Sequence, residues 1–117
     1  MKKRETEDFV RDILDSICAI EEFVKDYSFE DFIKEQKTNY AVIRAIEVIG
    51  EATKNIPKSF RSKYPEVPWD EMAGMRDKLI HHYFGVDMEV LWLTATENVP
   101  RLKVLISRVI MDMEKGE

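Results

Sequence analysis

Apolar residues recur at three- and four-residue steps along most of this chain, and that spacing predicts helices. From Thr6 to Tyr27, the residues Phe9, Ile13, Ile17, Ile20 and Val24 fall on one stripe of an amphipathic helix. Ser28 is a good N-cap for a short second helix that points Phe29, Phe32 and Ile33 inward. Gln36 to Asn39 reads as a break. A third helix is expected from Tyr40 to Ile56, burying Val42, Ile43, Ile46, Ile49 and the Ala52–Thr53 pair. Gly50 lowers its local propensity by about 1 kcal/mol relative to Ala, which makes sense where another helix comes close.

Pro57 suits the start of a short helical segment, and Pro65 and Pro68 mark a connector. Asp70 is placed to cap a helix from Glu71 to Phe84, and Gly85 to stop it in a left-handed conformation. Asp87 then caps a last helix from Met88 to Met113, which Pro100 is expected to kink because it removes a hydrogen bond. The expected fold is all-α: an antiparallel bundle of four main helices plus short helices, in one domain over residues 1–117.

Composition narrows function. Hydrophobic residues make up 44% of the 117 and charged ones 35%, which excludes a disordered chain, and four Gly and four Pro suit long helices. Cys18 is the sole cysteine, so neither an internal disulfide nor a Cys-x-x-Cys zinc site is available, and a reducing cytoplasmic setting is expected. No signal peptide and no membrane span are expected. The net charge of −5 gives little long-range attraction to phosphate. Contact with nucleic acid would need a local basic patch, and Lys54, Lys58, Arg61 and Lys63 offer one with no acid between them; a solvated loop is the plainer reading.

Candidate chemistry gathers in residues 76–83. Both histidines are here, His81 and His82, five and six residues after Arg76. At a helix C-terminus the imidazolium form of His81 is favoured, and Asp77, four residues earlier, would share its helical face and hold the ring in one tautomer. That set suits RNA cleavage, where the ribose 2′-hydroxyl is an internal nucleophile. A histidine moves the protons, and a forked guanidinium such as Arg76 steadies the crowded phosphorane. Around one straight helix, however, Arg76 and His81 sit roughly 140° apart. Either the helix opens near His81, or the site is shared between two chains of a homodimer. No metal site is expected, since adjacent helical histidines diverge and no Glu-x-x-His pair accompanies Glu47 or Glu51. Glu47 and Glu51 read as solvated, or as anchors for basic residues such as Arg44. Trp69, Met72, Met75 and Trp92 read as packing residues.

Arg76-x4-His81-x-Tyr83 resembles the Arg-x4-His-x-Tyr signature of HepT-like toxins of the HEPN superfamily. Residues 44–52 (Arg-Ala-Ile-Glu-Val-Ile-Gly-Glu-Ala) resemble the second-helix motif of that family. Residues 64–69 with 72–77 are similar to its connector, and residues 82–87 to its segment after the catalytic histidine. The resemblance spans nearly the whole chain and keeps the motif order. It implies a HEPN fold that forms a homodimer, and a metal-independent ribonuclease toxin with Arg76 and His81 catalytic and Asp77 supporting them. It implies no cofactor. It also implies a partner, a minimal nucleotidyltransferase antitoxin that transfers AMP to Tyr83. Besides the basic patch, Lys78 and His82 are candidate RNA contacts, although His82 stands at a variable position of the pattern. Two alternatives stand beside this one: a non-catalytic nucleotide-binding or accessory subunit of a nucleotidyltransferase, and a helical scaffold that merely dimerises.

Overall fold

The structure is a computed structural model that describes residues 4–81 and 85–116, with Ile80 and His81 described through their main chain. Helix α1 spans Thr6–Val24; the Glu5 N–H donates to the Asp8 carboxylate at 2.9 Å, tying its first turn. Val10, Ile13, Ile17 and Ile20 are its buried stripe. It stops three residues before Tyr27 because Asp26 turns left-handed, φ 65°. The Ser28 side chain then accepts from the Asp31 N–H at 3.1 Å and starts α2, Phe29–Lys34. Only Phe32 of α2 is buried; it packs on Trp92, with ring centroids 5.1 Å apart, while Ile33, expected inside, is exposed.

The expected break over residues 36–39 shrinks to Glu35, because α3 runs Gln36–Lys54. Gln36 and Lys37 are good helix formers and sit in solvent, so nothing opposes the extra turn. Val42, Ile46, Ile49 and Ala52 of α3 meet α1 in the core. Short α4, Lys58–Arg61, follows Pro57, and the connector leads to α5, Trp69–Ala73.

The largest departure lies here. Instead of one helix from Glu71 to Phe84 there are two short ones, α5 and α6, Met75–Leu79, parted at Gly74. Pro68, not Asp70, stands at the N-cap; Asp70 sits inside the first turn. The chain then becomes extended. Strand β1, Ile80–His81, pairs antiparallel with β2, Gly85–Val86, and the Asp87 N–H closes on the Leu79 carbonyl at 2.8 Å. Gly85 does adopt positive φ, 80°, but serves this strand pair rather than a helix cap.

Asp87 caps α7, Met88–Leu93, accepting from the Val90 N–H at 3.1 Å. A π-helical segment, Thr94–Asn98, joins it to α8, Val99–Lys115, in which Pro100 occupies the first turn. The Val99 N–H reaches the Thr94 carbonyl five residues back, so the wider turn absorbs the donor that Pro100 lacks. The core thus lies between three long helical elements, α1, α3 and the composite α7–α8, with α5 and α6 laid against α3. The fourth main helix of the expected bundle is replaced by α5, α6 and the strand pair. Among the described residues no helix is long and apolar enough to cross a membrane.

Candidate functional site

The site is built where α5 and α6 cross α3. A Cβ on Gly50 would stand 3.3 Å from the Ala73 carbonyl oxygen, a tight contact that would push α5 back by a few tenths of an ångström, so glycine suits this close crossing. One turn back along α3 and three residues on along the other strand of chain, Glu47 meets Arg76: Arg76 Nε donates to Glu47 Oε2 at 3.0 Å. Met75 and Leu79, four residues apart, are buried and anchor α6. That fixes the rotation of the short helix and turns Arg76, Asp77 and Lys78 outward. Arg76 keeps 51% of its side-chain surface exposed. Among the described residues its two terminal nitrogens have no partner, while Nε is held by Glu47.

Glu47, read from the sequence as solvated or as an anchor for a basic residue such as Arg44, holds Arg76 instead. The signal was present. Gly50 marks the crossing, and counting back one turn on α3 from the glycine brings a carboxylate level with the motif arginine.

Two expectations about His81 fall with the broken helix. It does not sit at a helix C-terminus, and Asp77 does not share a helical face with it, because the helix ends at Leu79 and His81 lies on β1. The same ending removes the 140° obstacle, since Arg76 and His81 are not on one continuous helix. The His81 side chain, His82 and Tyr83 lie outside the described residues. Among the described residues, no three His, Cys, Asp or Glu side chains gather as a possible metal-ion ligand set.

The basic patch divides. Arg61 is committed to structure: its Nε donates to the Ile56 carbonyl at 2.9 Å and its NH2 nitrogen to the Thr53 carbonyl at 2.7 Å. It therefore caps the C-terminal end of α3, and its side chain is only 19% exposed. Lys54, Lys58 and Lys63 are exposed, as is Lys78 on α6. Behind them Tyr64 donates its hydroxyl to Asp112 at 2.6 Å, tying the connector to α8, and this bond with the carboxylate pushes the phenol up to about 12. A concavity of about 390 Å³ runs between α5–α6 and the last helix over Met72, Met75, Leu102 and Leu105, and Arg76 does not line it. The arginine thus stands on open surface.

A family model described as ribonuclease HepT-like matches residues 13–109. A protein of Thermococcus cleftensis named "Probable ribonuclease HepT" is 57% identical over 101 residues, covering 86% of this chain and 92% of its own. Two proteins of Methanocaldococcus jannaschii, provisionally named as RNases, are 50% identical over 115 residues (98% and 99% of the two chains) and 47% identical over 114 (97% and 94%). No solved structure gives a significant match. With the family model and these full-length relatives in agreement, the chain belongs to the HepT-like ribonuclease family of the HEPN superfamily.

Proposed function

We propose that this protein is a metal-independent endoribonuclease, the cytoplasmic toxin of a toxin–antitoxin pair, acting as a homodimer. The observation that carries the reading is the Glu47-held, outward-facing guanidinium of Arg76 on a helix that ends two residues before His81. In the proposed reaction His81 takes the proton of a ribose 2′-hydroxyl as its oxygen attacks phosphorus. The bond to the 5′-oxygen breaks, the leaving oxygen receives a proton from the second copy's histidine, and a 2′,3′-cyclic phosphate remains. Arg76 offers its terminal nitrogens to the phosphorane oxygens. Because Arg76 stands on open surface in a single chain, a two-fold partner is what would close the cleft and bring a second Arg76–His81 set. Asp77, Lys54, Lys58, Lys63, Lys78 and His82 are assigned to support and RNA contact; Arg61 is not, since its Nε and one terminal nitrogen are held by the Ile56 and Thr53 carbonyls and the other faces Asp70.

Control is assigned to Tyr83. Its phenol oxygen would attack the α-phosphorus of ATP on a nucleotidyltransferase antitoxin, releasing pyrophosphate and leaving AMP attached. The added bulk and negative charge would then exclude RNA. The test is incubation of the purified protein with single-stranded RNA in excess chelator, with end-group analysis. Cyclic phosphate ends are expected, and their loss in Arg76→Ala and in His81→Ala. Cleavage by His81→Ala at the parent rate would end the proposal.

A further inference from the structure

The outer face of α3 carries residues that neither the core nor the Arg76–Glu47 pair uses. Tyr40, Arg44 and Glu47 follow one another at four and three residues, so all three lie on one face, and Tyr40 is about 10 Å from Glu47 along the axis. Tyr40 is 64% exposed, more than any other large hydrophobic side chain described, and only its hydroxyl is engaged, accepting from Gln36 Nε2 at 3.1 Å. Arg44 is exposed, and among the described residues no acid lies within ion-pair distance of it, although it lines a hollow together with Asp12 and Glu51.

Resting on the ribonuclease reading, we propose that Tyr40 and Arg44 form the substrate track leading to Arg76: an unpaired RNA base stacks on the Tyr40 ring, and Arg44 holds the phosphate between that base and the cleavage site. Single-stranded RNA is gripped by this pairing of an aromatic plane with a guanidinium, which needs no particular base. The 10 Å interval corresponds to about three stacked nucleotides. A second copy of this chain is the weaker occupant. Interface cores shed charge, and Tyr40 is flanked by Lys37 and Arg44, whereas Leu93, Val104 and Met111 expose aliphatic surface on the last helical element.

The test is binding of a 2′-O-methyl single-stranded oligonucleotide to the whole chain across a salt series. Lacking a free 2′-hydroxyl, this probe cannot be cut by the proposed chemistry. Tyr40→Ala should weaken binding about tenfold and Tyr40→Phe should retain it. Arg44→Ala should lower the slope of log affinity against log salt by about 0.7, the value for one single-strand phosphate contact. Unchanged affinity and slope in both alanine variants overturns the inference, as does a parent that does not bind the probe. Sedimentation showing that Tyr40→Ala separates copies while binding per protomer is kept also overturns it. Cleavage of unmodified RNA is scored separately. A parent that binds through these residues but never cuts sinks the ribonuclease reading alone; a parent that cuts while the variants bind normally sinks the track alone.

Discussion

Glu47→Gln separates what a residue does for the fold from what it does for the site. The Arg76–Glu47 pair is largely exposed, 51% and 30% for the two side chains, so solvent screens it and its net contribution to stability is about 0.2–1 kcal/mol. For a chain of 117 residues, 1 kcal/mol moves Tm by about 4 °C, so the amide variant should melt within about 4 °C of the parent. The effect on cleavage should be far larger. Among the described residues Nε is the one Arg76 donor held, at 3.0 Å, and without the carboxylate charge the fork should swing by about an ångström. A displacement of that size costs up to ~100-fold, and loss of the whole electrostatic group ~100- to 1,000-fold. Single-turnover cleavage should therefore fall ~10- to 100-fold in Glu47→Gln and further in Arg76→Ala, with the double variant no slower than Arg76→Ala alone. If the two losses multiply, Glu47 acts independently of the arginine, as a base or an RNA contact, and the positioning argument is wrong. A fall in Tm well beyond 4 °C would equally place its role in the fold.

Two further outcomes follow from the same geometry. Arg61→Ala removes two donors from the end of α3 and should cost about 1–2 kcal/mol in chemical denaturation while leaving the salt dependence of RNA binding unchanged; a lower salt slope with unchanged stability would return Arg61 to the RNA surface. The Tyr64 phenol is pushed above its unfolded value of 10, to about 12, by Asp112, so its contribution is complete below pH 10 and is lost as pH rises towards 12. Denaturation midpoints should decline more steeply between pH 10 and 12 in the parent than in Tyr64→Phe, and parallel profiles would contradict that assignment.

The long helices were legible in the chain because each carries its own instruction. Ile13, Ile17 and Ile20 on α1, or Val42, Ile46 and Ile49 on α3, repeat at the helical period and need only some apolar neighbour to bury them. Caps are equally local, which is why Ser28 and Asp87 stand where expected. The region after Trp69 was not legible in that way. Met72, Met75 and Leu79 keep a helical period, so the stripe alone continues a helix through His81. Against it stand Gly74 and the pairing of Ile80 with Val86, a contact whose partner lies six residues further on and which no periodicity announces.

The sequence by itself determined a helical chain, the order of its motif residues and its family, since propensity, patterning and motif spacing are properties of neighbours along the chain. Tertiary structure decided which carboxylate holds Arg76, which arginine of the basic stretch is spent on α3, and where the helix before His81 ends. Those outcomes depend on Gly50 letting α5 approach α3 and on strand partners meeting in space. A pairing across 29 residues has no local signature, because its energy exists only once the core has brought the two segments together.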